Sequence, residues 1–127
     1  MREILFRGKR KDNGKWCYGS LQCFKGFSIF DNDYKSFFTV NSTTVGQYTG
    51  LTDKNGKRIF EGDILDCGDR AVYVKWHEQC GTWDCDFIRY KGELFSNGVR
   101  PVDWKFRAIV IGNIHDNPEL LKEGAEE

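Results

Sequence analysis

The segment "WHEQCGTWDCDF" gathers His77, Cys80 and Cys85 within nine positions. Imidazole and thiolate are ligands that zinc favours, and a tetrahedral site would need a fourth, such as His115, Cys67 or Asp86. The spacing matches no familiar zinc pattern: there is no CxxC pair, and Gly81 between the thiols reads equally well as a turn between strands. A thiol nucleophile would need a cysteine beside His77 or His115, the chain's two histidines, whereas free cysteines commonly behave as small buried apolar residues. Asp84 and Asp86 stand two apart, which on a strand merely puts both carboxylates on one face. No phosphate loop, nucleophile elbow or paired-carboxylate motif occurs. An enzyme centred on His77, Cys80 and Cys85, metal-dependent or thiol-based, is therefore kept as the alternative, and no catalytic, cofactor or metal residue is assigned.

A second constellation suits recognition. In "FRGKRKDNGKWCYGSL", Arg7, Lys9, Arg10 and Lys11 precede Trp16 and Tyr18, and exposed rings beside cations can dock a protein or nucleic acid. Tyr48 and Trp83 are further aromatic candidates for such a face. Residues 1–25 carry seven basic side chains against Glu3 and Asp12, a net of +5. From His115 onward, Asp116, Glu119, Glu123, Glu126 and Glu127 face only Lys122, a net of −4 with His neutral. Attraction between the two ends, within one chain or between subunits of a homo-oligomer, is preferred to a basic arm for nucleic acid. The whole chain balances nineteen basic against nineteen acidic residues, so no global field draws it onto nucleic acid or an anionic membrane.

No run reaches the roughly 18 apolar residues of a membrane span. The five cysteines are odd in number and "MREILFRGKRK" turns basic too soon for a secretion signal, which points to reduced thiols in a cytoplasm.

The elements that would position these residues are mostly strands. At 127 residues with 15% aromatic content, 14 Gly and 2 Pro, the chain suits one domain, 1–127, of all-β class: mainly antiparallel, small and barrel-like. "RAVYVKW" alternates Val72, Val74 and Trp76 against Ala71, Tyr73 and Lys75, the pattern of a half-buried strand. "WKFRAIVIG" reads as a strand that ends buried on both faces, inside the sheet. "REILFR", "WCYGSLQCF", "FFTV", "DILDC" and "DFIRY" are further strands. Asn13-Gly14, Asn55-Gly56 and Asn97-Gly98 can each supply the two positive φ values of a type I′ hairpin turn. One short C-terminal helix is expected at "DNPELLKEG", with Asn117 as cap, Pro118 in the first helical position and Gly124 as stop.

"GLTDKNGKRIFEGDIL" repeats the hairpin device of the N-terminal run. In it Gly62 permits a special backbone angle and Asp63 can bond nearby amides, so the segment is read as scaffold rather than site. Extended to "VGQYTGLTDKNGKRIFEGDIL" and taken together with "FRGKRKDNGKWCYGSL" and "VIGNIHDNPELL", it resembles the three signature segments of the YopX family, small proteins typical of phages and prophages of low-GC bacteria. The match is ordered and spans the start, middle and end of the chain. The resemblance implies an all-β fold and a phage or prophage origin, and it transfers no active site. The resulting expectation is an accessory protein acting as a non-catalytic binding module for a host or phage protein. Weak nucleic-acid binding through the basic hairpin is a further alternative.

Overall fold

The computed structural model of the chain describes residues 4–23, 25–31, 36–68, 70–77, 82–90 and 104–120, and the side chains of all of these except 70, 77, 82 and 84–90. The chain divides into two compact units, Met1–Gly50 and Leu51–Glu127.

In the first unit β1 (Phe6–Lys9), β2 (Trp16–Gln22), β3 (Phe27–Phe30) and β4 (Phe37–Val40) form an antiparallel meander, followed by a 3₁₀ turn (Ser42–Thr44) and the start of β5 (Gly46–Thr52). Strand β5 pairs with the other side of β1, which gives the order β4-β3-β2-β1-β5. The first strand begins at Phe6, later than "REILFR" suggested, and runs through Gly8. Gly8 packs tightly: a Cβ there would lie 3.0 Å from Cβ of Val40, which is almost fully buried, and would press on that side chain. A bridge between Arg10 and Val40, with Lys11 N donating to Thr39 O and Asn41 N to Lys9 O (both 2.9 Å), curls the edge of β4 back onto the end of β1. Thr44 Oγ1 accepts the Lys9 amide at 2.9 Å and donates to Asn41 O, locking the 3₁₀ turn beneath this corner.

In the second unit the end of β5 turns back through β6 (Arg58–Phe60). A separate antiparallel sheet is built from β7 (Asp63–Asp66), β8 (Arg70–His77), β9 (Thr82–Tyr90) and β10 (Ile109–Asn113), in the order β10-β7-β8-β9. Its core contains Ile59, Leu65, Val72, Val74, Trp83, Trp104 and Ala108. Each fully buried aliphatic side chain among them contributes roughly 1.5–3 kcal/mol. Strand β8 keeps Val72 and Val74 inside as expected, but Trp76 is 43% exposed and meets Trp83 edge-on at 5.0 Å.

The antiparallel all-β class holds. Among the described residues, however, the strands lie in two open sheets rather than a closed barrel. "WKFRAIVIG" departs most from its expected form. Residues Trp104–Arg107 make a helical turn, α1, closed by Ala108 N donating to Trp104 O at 2.9 Å, and only Ile109–Asn113 is strand. Trp104 and Ala108 are fully buried while Phe106 is 66% exposed. Apolar residues four apart share a helix face, and the short run fitted both periods. Strand β10 is an edge strand whose Ile109 and Ile111 are exposed, not a strand buried on both faces.

The turns differ in a similar way. Gly14 (φ +73°) and Gly56 (φ +81°) have positive φ, but Asn13 and Asn55 do not, so neither loop is a type I′ turn. Asn13 Oδ1 instead accepts the Lys15 amide at 2.9 Å. Around Asn55, Gly56 N donates to Asp53 O and Asp53 N to Lys57 O, a type I turn followed by a left-handed glycine. Asn97-Gly98 lies outside the described residues.

At the C-terminal end, Asn117 does not spend its side chain on capping the amides that follow. Its Oδ1 accepts the Asn113 amide at 3.2 Å, and helix is described only for residues 119–120.

Candidate functional site

The β1–β2 register sets Arg7 opposite Tyr18 and Lys9 opposite Trp16. Side chains alternate along a strand, so these four residues share one face. The Arg7 guanidinium carbon lies 4.5 Å from the Trp16 ring centroid and Lys9 Nζ lies 5.4 Å from it. Such cation–aromatic contacts are worth roughly 0.5–2 kcal/mol each, more as water is excluded. Arg7 is buried here, while Tyr18 is 44% exposed.

Arg10 is held on two sides. Its Nε and one terminal nitrogen donate to the two carboxylate oxygens of Asp12 at 2.9 and 2.7 Å, and its guanidinium carbon lies 3.9 Å from the Phe38 ring centroid. The hydrogen bond from Arg10 holds the Asp12 carboxyl below its ordinary value and raises that of Arg10. The pair is solvent-exposed, so it orients the guanidinium more than it stabilises the fold.

Beside Arg10 opens a cleft of about 350 Å³. It is lined by Arg10, Lys15, Cys17, Asp31, Phe38 and fully buried Ile29, on the face of the meander opposite the ladder side chains, and by the strand at Trp16 and Tyr18. Cys17 Sγ donates to Gly8 O at 3.5 Å, and burial pushes its thiol pKa up, so it stays protonated and is a poor nucleophile.

The expected recognition residues are therefore only partly brought together. Arg7, Lys9, Trp16 and Tyr18 form one ladder, Arg10 flanks it, and Lys11 is exposed on the adjoining loop. Tyr48 and Trp83 are not exposed rings. Tyr48 is buried with its amide on Leu5 O, and Trp83 packs in the core of the second unit. Sequence reasoning passed over Lys15, Ile29, Asp31 and Phe38. "FFTV" marked a strand, but nothing local to it shows that Phe38 meets Arg10. Phe37, 59% exposed and stacked on Phe30 at 5.2 Å, was likewise missed.

For the alternative site, the backbone ladder pairs His77 with Thr82 and Cys85 with Val74. The side chains of His77, Cys85 and Asp86, and Cys80 entirely, lie outside the description. Of the possible fourth ligands, Cys67 is buried in the apolar cluster beside Leu65 and Val72, and His115 sits over Gly62. Among the described residues no three His, Cys, Asp or Glu side chains group as metal ligands, and no helix is long and apolar enough to cross a membrane.

"GLTDKNGKRIFEGDIL" is scaffold. Asp53, 3% exposed, accepts the Asn55 and Lys57 amides on Oδ1 (both 2.8 Å) and the Val110 amide on Oδ2. Gly62 (φ +89°) donates its N–H to Val74 O and accepts Ile114 N on its carbonyl, while buried Asp63 accepts the Phe60 amide at 2.7 Å. In "VIGNIHDNPELL", Asn113 Oδ1 accepts the His115 and Asp116 amides and its Nδ2 donates to Asp116. These two segments are knitted to each other by backbone and carboxylate bonds, and the third, N-terminal segment forms the β1–β2 face.

An antiparallel β protein of two sheets, with a cation-and-aromatic face on its first hairpin, is the class these features define. The family model described as YopX protein matches residues 5–122, and the chain belongs to the YopX family. Among solved structures, the crystal structure of protein EF1440 from Enterococcus faecalis is similar, with 22% identity, a TM-score of 0.58, and coverage of 95% of this chain and 99% of that one. At that identity the likeness is one of fold. No curated protein matches the chain.

Proposed function

We propose that the chain is a phage- or prophage-derived accessory protein, a non-catalytic binding module that docks a host or phage protein in the bacterial cytoplasm through its β1–β2 face. One observation carries the reading. The Arg7/Lys9–Trp16/Tyr18 ladder presents two cations and two rings together on one face, with Tyr18 exposed. Rings held by neighbouring cations are already ordered, so a partner that covers them gives up little further side-chain entropy. Aromatic and arginine residues of this kind dominate the energy of many protein interfaces.

Affinity capture from infected or lysogenic cells, with and without nuclease, tests it. A stoichiometric protein partner that survives nuclease and is lost on Tyr18→Ala is the expected result. Recovery that depends wholly on nucleic acid would replace this reading with the nucleic-acid one. Recovery of the protein alone would point instead to a homo-oligomer.

A further inference from the structure

Resting on that docking reading, we propose that the outer face of the first sheet takes a proline-rich segment of the partner, extended as a polyproline II helix, with an acidic residue at its Lys9 end. Proline rings enter between Trp16 and Tyr18 and between Tyr18 and Phe30.

Register and alternation build this face. Trp16 and Tyr18 stand two apart on β2 and share a face with Lys9 and Arg7. Ser20 continues that face and pairs with Phe30, which pairs with Phe37. Both phenylalanines therefore stand beside the ladder, Phe37 59% exposed and stacked on Phe30. Leu21, Ile29 and Phe38 pair on the opposite, inner side, where Ile29 and Val40 are buried. Side chains two apart on a strand are about 6.5 Å apart, and diagonal neighbours such as Tyr18 and Phe30 about 7–8 Å. Either gap admits one flat ring at a contact distance of ~3.5–4.0 Å from both walls.

The strand edges decide the backbone of the guest. Strand β5 covers the outer side of β1, and the Arg10–Val40 bridge with its two hydrogen bonds occupies the edge of β4 from Thr39 to Asn41. Too short an edge is left for strand addition. The rings stand on the convex side of the curl, and a helix of about 10–12 Å diameter needs a groove to bury its apolar stripe. A polyproline II segment needs neither edge nor groove: its backbone makes no internal hydrogen bonds and stays solvated, and it is ordered before it binds. At about 3.1 Å per residue, prolines two or three positions apart reach both gaps.

Charge sets the flank. Strands β1–β4 contain two charged residues, Arg7 and Lys9, both on this face. Asp12 is engaged by Arg10, and Asp31 lies past the end of β3 at the cleft on the other side. A lysine or arginine in the guest would meet like charge, whereas a carboxylate meets Lys9 beside Trp16. Arg7 is buried, so the face itself offers a single lysine to phosphates, too few to hold a nucleic-acid strand by charge.

The test uses fluorescein-labelled synthetic peptides and anisotropy. The first probe is a short proline-rich peptide with glutamate at both ends, which serves either chain direction. The second has alanines in place of the prolines, and the third has lysines in place of the glutamates. Saturable binding of the first probe, with the other two weaker, is expected. Tyr18→Ala should weaken it about tenfold and Phe37→Ala several-fold, with unchanged far-ultraviolet circular dichroism. Phe106→Ala removes an equally exposed ring in the second unit and should change nothing. In isotope-labelled wild-type protein the first probe should shift the amide resonances of β2, β3 and β4.

Equal binding of the proline and alanine probes, preference for the lysine probe, tighter binding of a short oligothymidine, or no saturation below about 1 mM overturns the inference. Resonance shifts confined to the second unit also overturn it. Self-association abolished by Tyr18→Ala and Phe37→Ala would make a second copy the occupant and likewise overturns it. If a captured partner is lost on Tyr18→Ala while the probes fail to bind, this inference falls and the docking reading stands. If capture is insensitive to Tyr18→Ala and the probes fail, both fall.

Discussion

The Asp53 carboxylate accepts the Val110 amide at 2.9 Å, across 57 positions of sequence. With Lys54 N on Ala108 O at 2.8 Å, it pins the β5–β6 turn to the start of β10 and occupies a backbone donor of that edge strand. One buried side chain thus closes a hairpin and caps a sheet edge.

Asp53→Ala removes the acceptor for three amides. Hydrogen bonds to a charged group are worth roughly 1.5–3 kcal/mol and are not additive, so a net destabilisation of about 3 kcal/mol is expected from urea unfolding. Asp53→Asn keeps one acceptor oxygen and should lose less. Equal unfolding midpoints for wild type and Asp53→Ala would show that the latch contributes nothing.

Gly112 is held glycine by its neighbour. A Cβ there would collide with Oδ1 of Asn117 and lie 2.8 Å from its Cγ, the same carboxamide that accepts the Asn113 amide. Gly112→Ala should cost about 1–3 kcal/mol, as overpacking does. Adding Asn117→Ala should recover part of that loss, because the clash disappears with the side chain. A double-mutant cycle measures the coupling, and strictly additive effects would contradict the contact.

The thiols should separate by reactivity. Cys23 is exposed, Cys17 is half-buried with its pKa raised by burial, and Cys67 is in the apolar core. Iodoacetamide near neutral pH should modify Cys23 first, Cys17 slowly and Cys67 only on unfolding, read peptide by peptide in a mass spectrometer. Modification of Cys17 ahead of Cys23 would mean that its thiol is activated rather than suppressed.

Acid should release the Arg10–Asp12 pair. The Asp12 carboxyl is held below its ordinary 3.8, chiefly by the hydrogen bond from Arg10, so the unfolded chain takes up that proton more readily than the folded one. Whatever stability the pair adds is complete above the ordinary value and is lost as pH falls through the folded one. Arg10→Gln should return the Asp12 titration, followed by nuclear magnetic resonance, toward its ordinary value. Added salt should shrink the difference between the two proteins.

Some of this protein was determined by sequence alone, because the causes are local. Gly14, Gly56 and Gly62 adopt positive φ where the turn chemistry placed them. "FFTV" is a strand over its whole length, and "WCYGSLQCF" and "DILDC" are strands over most of theirs. The basic and aromatic residues of the first hairpin were also visible, since a short antiparallel hairpin puts alternate residues of both strands on one face.

Tertiary structure decided the rest, because long-range contacts arbitrate where local patterns are degenerate. Trp104, Phe106 and Ala108 fitted a strand until burial selected the four-residue spacing of a helical turn. Tyr48 and Trp83 carry the same chemistry as Tyr18, yet burial removes the first two from any docking face. The cleft requires Arg10 to reach Phe38 after the chain has passed through β2 and β3 and returned in β4, and no window of sequence contains that meeting. Asp53 reads locally as a turn former. Only the fold brings Val110 to its second oxygen, which makes it a link between two signature segments.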